Sequence, residues 1–295
     1  MNWPACGGNR HRGTKLKNLK IRQLLALFFS LFLAVPAFAQ GMDGAQTKSF
    51  FSTAAKADNY LKKGDYKQTI AAYRQFLGKY PRSSYSALSY LLIAGIYLDD
   101  LRDYSQAGTV YGRVLAQPGG DRLTQISRKF AGRWRQRIKL VLIKQALRRY
   151  YAHEVEYPAS LDNLLLKGYL KENYLRGPKG NSYFYRPGAS SLFPELKGQA
   201  YVLYSFTLGK GAPPLSLLIE EKKVFSRQFS LQGLMRGPQG RKAVINYKPA
   251  TSSAKPVREI LAAGDKIGEA QVLVITDEGV ILSGKETILV LTMGR

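Results

Sequence analysis

The sequence predicts an α+β chain of several domains, helical in its first half and strand-rich in its second. Three observations predict it. One helical pattern is stated twice, with Asp65 and Asp103 in matching surroundings 38 residues apart. Apolar residues keep a helical period from about Thr47 to Glu154, then give way to Gly-, Pro- and Tyr-rich sequence with short alternating runs. From Ile260 to the end the chain reads as strands alone. The boundaries follow: an export signal over 1–39, helical repeats over 40–137, helix plus strands over 138–250, a polar linker over 251–256 and a small all-β domain over 257–295.

Residues 1–39 open with Arg10, Arg12, Lys15, Lys17, Lys20 and Arg22 and no acid. An apolar run from Leu24 to Val35 is broken by Pro36, and Ala37-Phe38-Ala39 supplies a small-x-small cleavage pattern before Gln40. This predicts export to the periplasm of a bacterial envelope. The alternative is an uncleaved inner-membrane anchor, since the basic start also fits an inside-positive orientation. Cys6, the one cysteine, lies in this segment with His11. The mature chain then has no thiol nucleophile, disulfide or cysteine metal site, and His153 alone cannot build a zinc site without unusual carboxylate help. No cofactor and no metal are expected.

The formal net charge is +25, and removing the six basic residues of the signal leaves +19. Such a chain attracts polyanions. Arg128, Lys129, Arg133, Arg135 and Arg137 cluster beside Phe130 and Trp134 and are the candidate polyanion-binding residues. Anionic lipid or a cell-wall polymer is the matching partner; nucleic acid is not expected for an exported chain. A solvated helix face accounts for the same pattern.

In the repeats, Asp65-Tyr66 aligns with Asp103-Tyr104, Tyr73 with Tyr111, and Leu77 with Leu115. Small residues Ala57, Thr69, Gly95 and Ala107 stand where paired helices would touch, and Pro81 and Pro118-Gly119 close the two units. The pattern resembles the tetratricopeptide repeat, a helix–turn–helix unit, and Tyr80-Pro81-Arg82-Ser83-Ser84-Tyr85 resembles the junction of its periplasmic members. Arg102 departs from it by replacing the turn glycine found at Gly64. The resemblance implies stacked hairpins and a groove that holds a partner, because one hairpin cannot bury its apolar face alone. By that family geometry the groove residues are Asp58, Leu61 and Lys62 from the first unit and Ile96, Asp99 and Asp100 from the second.

Further on, Tyr150-Tyr151, Tyr157-Pro158-Ala159-Ser160-Leu161 and Gly177-Pro178-Lys179-Gly180-Asn181-Ser182-Tyr183-Phe184-Tyr185 resemble the globular part of the major pseudopilin of type II secretion. Tyr157-Pro158 ends a helix, since proline restricts the residue before it, and Gly180-Asn181 is expected as a hairpin turn. The apolar N-terminal helix of that family is absent. Leu215-Ser216-Leu217-Leu218-Ile219 reads as a strand after the Pro213-Pro214 loop. The end of the chain, with Gly264-Asp265 and Gly279 as turn signals and Ala270–Ile275 and Thr287–Leu291 as strands, resembles the small periplasmic domain of the type II secretion coupling protein and its type IV pilus counterpart. A generic small β-barrel or sandwich gives the same pattern.

Together these imply a non-enzymatic periplasmic scaffold that binds protein partners in an envelope secretion or pilus-like assembly. The rival is a binder of anionic envelope polymer, or an enzyme acting on the cell wall through Glu154 with Glu156 or Glu220 with Glu221. Adjacent acids on a strand point to opposite faces, and no Gly-x-Ser-x-Gly, phosphate loop or zinc motif is present.

Overall fold

The computed structural model describes residues 44–171, 174–177, 180–188, 198–250 and 255–293. The expected signal with its cleavage site, and residues 251–254 of the expected linker, lie outside them. Among the described residues no helix is long and apolar enough to cross a membrane.

Five helices come first: α1 (Gly44–Lys62), α2 (Tyr66–Lys79), α3 (Ser86–Asp99), α4 (Tyr104–Ala116) and α5 (Arg122–Glu154). The repeated aspartates start the second helix of each pair. Asp65 Oδ1 accepts from Gln68 N at 3.0 Å and Asp103 Oδ1 from Gln106 N at 2.9 Å, satisfying amides that the helix leaves unbonded. Before each cap the chain turns through a left-handed residue, Gly64 at φ 74° and Arg102 at φ 55°. Glycine adopts that region without strain; Arg102 holds the same place at a cost. The hairpins α1–α2 and α3–α4 pack antiparallel, and α5 packs on α3 and α4. Phe50 stacks on Tyr85 with ring centres 4.4 Å apart, and Phe51 and Phe76 close around them edge-on.

The boundary expected at 137/138 falls inside α5, which runs unbroken. Its first half gives Ala131, Trp134 and Ile138 to the helical layer. Its second half gives Ile143, Ala146, Leu147 and Tyr150 to a second core with Leu161, Leu164 of α6 (Asp162–Leu166), Leu175 and Tyr183. That core is roofed by the ribbon β3 (Tyr183–Gly188) and β4 (Ala200–Ser205). A short hairpin β1 (Arg176–Gly177) and β2 (Gly180–Asn181) precedes it. Gly180 and Asn181, expected as a turn, are strand residues opposite Gly177 and Arg176.

Leu215-Ser216-Leu217-Leu218-Ile219, expected as a strand, is the start of α7 (Leu215–Ser226). The buried positions Leu215, Ile219 and Phe225 are spaced for a helix, and Pro214 suits a helix entry. Seven strands follow: β5 (Phe229–Gly237), β6 (Gly240–Tyr247), β7 (Val257–Ala262), β8 (Lys266–Ile267), β9 (Ala270–Ile275), β10 (Gly279–Gly284) and β11 (Thr287–Thr292). They form two antiparallel sheets, β5–β6–β7 and β8–β9–β10–β11, around one core that includes Phe225, Ile245, Leu261, Val272, Leu282 and Leu291. Because β7 pairs with β6 through six residues, from Lys242↔Ala262 to Tyr247↔Val257, the expected linker joins two neighbouring strands and 257–293 shares its core with 225–247.

The β half meets the helices along β11. All six β11 residues are buried. Leu289 and Leu291 belong to the sandwich core, so Ile288 and Val290 point the other way by strand alternation. At Gly279, expected as a turn, the reason for glycine is approach: a Cβ there would stand 2.6 Å from the Phe51 ring of α1 and 2.5 Å from Leu291 O.

Candidate functional site

The C-terminal turn of α3 carries the site. Gly95 and Asp99 lie one turn apart on the face turned to α7. A Cβ at Gly95 would sit 3.2 Å from Lys222 Nζ, so this glycine makes room for the lysine; it does not mark the α3–α4 crossing expected from the repeat. Ala107, expected at the same crossing, is fully buried in α4. Lys222 Nζ donates to Asp99 Oδ2 at 2.6 Å, with 14% and 11% of the two side chains exposed. Lys223 Nζ donates to Asp99 O at 3.2 Å and stands 3.8 Å from Asp100 Oδ1. Both lysines thus serve the negative end of the α3 dipole, where carbonyls lack helical partners. Asp99 Oδ1 is buried without a hydrogen-bond partner. Burial, and then the neighbouring Asp99, push the Asp100 carboxyl above its ordinary value; Lys223, Lys222 and Arg102 pull the other way.

A second hub faces it from α5. Trp134 Nε1 donates to Glu286 O at 2.8 Å, in the turn between β10 and β11. The Glu286 carboxylate accepts from Arg133 at 2.7 Å and from Arg137. Burial alone would raise the Glu286 carboxyl; the guanidiniums of Arg137 and Arg133 outweigh it and hold it below the ordinary glutamate value. Arg137 and Lys222 lie over the Trp134 ring, 5.1 and 5.5 Å from its centre, within cation–π range.

Between these hubs lies a cavity of about 360 Å3. Five of the six predicted groove residues, Asp58, Leu61, Ile96, Asp99 and Asp100, line it from two different helical hairpins. The sixth, Lys62, pairs with Asp58 at 2.9 Å on the helix surface. The opposite wall is the chain's own: Lys222, Lys223 and Arg227 of α7 and its end, Glu286 of the β10–β11 turn, and Thr287 to Val290 of β11. Tyr111 lines the floor, and burial raises its phenol pKa well above the ordinary value.

The predicted polyanion set is divided. Arg133 and Arg137 are committed to Glu286, and Arg128 donates to Gln117 O at the end of α4. Lys129 is exposed, and Arg135 lies half-buried beside Gly112 of α4. Of the acids considered for catalysis, Glu154 pairs with Lys167 at 2.7 Å, and Glu220 lies 4.0 Å from Arg102 at the surface. Lys222, Lys223, Trp134 and Glu286 were absent from the predicted groove. The two lysines were hidden because their helix reads as a strand, and Glu286 meets α5 across about 150 residues of chain, a contact with no local signal.

No protein-family model matches this chain, and neither a curated protein nor a solved structure matches it.

Proposed function

We propose that the chain is a non-enzymatic periplasmic scaffold of an envelope secretion or pilus-like assembly, and that it holds a partner's segment in the cavity between its helices and its β half. The observation that carries this reading is the convergence of Asp58, Leu61, Ile96, Asp99 and Asp100 on one cleft. Its volume of about 360 Å3 falls in the range of pockets that seat a small group, here one or two side chains of an inserted segment. The charges around it are largely matched within the chain, Asp99 by Lys222 and Glu286 by Arg133 and Arg137, so they serve architecture rather than proton transfer. On this reading the helices are repeats of the tetratricopeptide kind. The matched caps Asp65 and Asp103 and the matched left-handed residues Gly64 and Arg102 support it. The pseudopilin-like reading is supported by the long α5, its end before Tyr157-Pro158, and the β3–β4 ribbon laid across it.

Leu61→Trp tests the proposal. The half-buried Leu61 lines the cavity, and an indole there fills it. The variant should melt like wild type while envelope partners that co-purify with wild type are lost. Undiminished co-purification would remove the cavity from the account.

A further inference from the structure

We propose that the end of the molecule formed by the last turns of α5, by α6 and by Gly168 to Lys171 after it docks on an anionic lipid surface. This goes beyond the scaffold reading and does not rest on it. The basic charge of α5 has two fates along its length. Towards its start, Arg128, Arg133 and Arg137 have internal partners. Towards its end, Arg148 and Arg149 are exposed and face Lys171 across an open basin of about 630 Å3. Among the described residues the basin contains no carboxylate; Leu142, Tyr169 and Tyr174 supply its apolar and aromatic wall. Arg149 Nη2 donates to Tyr169 O at 2.9 Å, which fixes one guanidinium at the rim. Arg148 and Lys171 have no ion-pair partner among the described residues. Among the described residues the acids at this end are Glu154, already matched by Lys167, with Glu156 and Asp162 outside the basin.

Close in sequence to the basin residues Gly168 and Arg149 stand the two most exposed large apolar side chains among the described residues, Leu166 at 84% and Val155 at 68%. Each adjoins a member of the Glu154–Lys167 pair, so both belong to one end of the molecule. Val155 is held at φ 61°, a left-handed conformation that a β-branched residue adopts only under strain, in the place where glycine commonly ends a helix. Among the described residues, an exposed valine in a strained cap and an exposed leucine contribute little packing. Apolar side chains presented at the same end as cations that have no ion-pair partner among the described residues fit an interface where phosphate headgroups lie above acyl chains. A soluble polyanion would engage the cations and leave Leu166 and Val155 in water.

The test is flotation of the full chain with phosphatidylglycerol vesicles and with phosphatidylcholine vesicles, using two pairs of substitutions and an arm with soluble polyphosphate. Arg148→Gln with Lys171→Gln should weaken binding to phosphatidylglycerol roughly five-fold per charge removed. Val155→Gly with Leu166→Ser keeps every charge, relieves the strained cap, and should also lower binding several-fold. Equal binding to the two vesicle types overturns the proposal. Wild-type binding by both pairs overturns it too, and assigns attachment to residues elsewhere, such as Leu24 to Val35. Loss with the charge pair alone, together with full competition by polyphosphate, overturns the lipid surface in favour of capture of a soluble polyanion.

Discussion

Lys222→Met tests the joint between the helices and the β half. Among the described residues the lysine is Asp99's only charged partner within 3 Å, and both side chains are largely buried, with 14% and 11% exposed. Removing one member of a buried pair leaves the other charge uncompensated and typically costs about 3–5 kcal/mol. Asp99 Oδ1 already lacks a hydrogen bond, so little else on that carboxylate absorbs the loss. Lys223, which reaches Asp99 O at 3.2 Å, offers a substitute and places the loss near the lower end, about 3 kcal/mol. For a chain of this size that lowers Tm by about 6–12 °C. Asp99→Leu with Lys222→Met removes both charges, and replacing a buried pair by apolar groups is often neutral or stabilising. The double variant should therefore regain most of the loss, a coupling of about 2 kcal/mol in a double-mutant cycle read by calorimetry. A Lys222→Met protein melting within 1–2 °C of wild type would refute the buried-pair reasoning, as would a double variant no better than the single one.

Two further outcomes follow from the same structure. Arg102→Gly relieves a left-handed residue at φ 55° and removes an exposed 4.0 Å contact to Glu220 and the weakest of the cationic influences on Asp100, so thermal melts should show a gain of about 0.5–1 kcal/mol; a loss would mean the arginine's charge outweighs the strain it carries. Glu286 has its folded pKa depressed below the ordinary 4.5, so its contribution is present above pH 4.5 and is lost as pH falls through the folded value. Glu286→Gln should then be less stable than wild type at neutral pH and match it in strong acid; a gap that stays constant with pH would show that the carboxylate's charge is not what holds Arg137.

What the sequence made legible was local. Asp65 and Asp103 read as helix starts because a cap needs only its own side chain and the amide three residues on. The strands from Ala270 to Thr292 were legible because their alternation is dense. The failures came where distant chain decides. The run Leu215-Ser216-Leu217-Leu218-Ile219 fits a strand or a helix equally, and Lys222 and Phe225 one and two turns after Ile219 resolve it. Gly95 reads as a helix-crossing residue until the lysine opposite it is known, and Gly279 reads as a turn until Phe51 is seen against it. The groove residues could be placed on one face from the repeat. Their closing wall comes from α7 and β11, more than a hundred residues further along the chain.

The most direct measurement is photo-crosslinking in the native envelope from a photoreactive residue placed at Leu61, with a second at Arg82 as control. Leu61 lines the cavity, and Arg82 is exposed at the α2–α3 turn outside it. The account predicts a covalent adduct between Leu61 and a segment of an envelope assembly protein, with none from Arg82. No adduct from Leu61, or equal adducts from both positions, would contradict it.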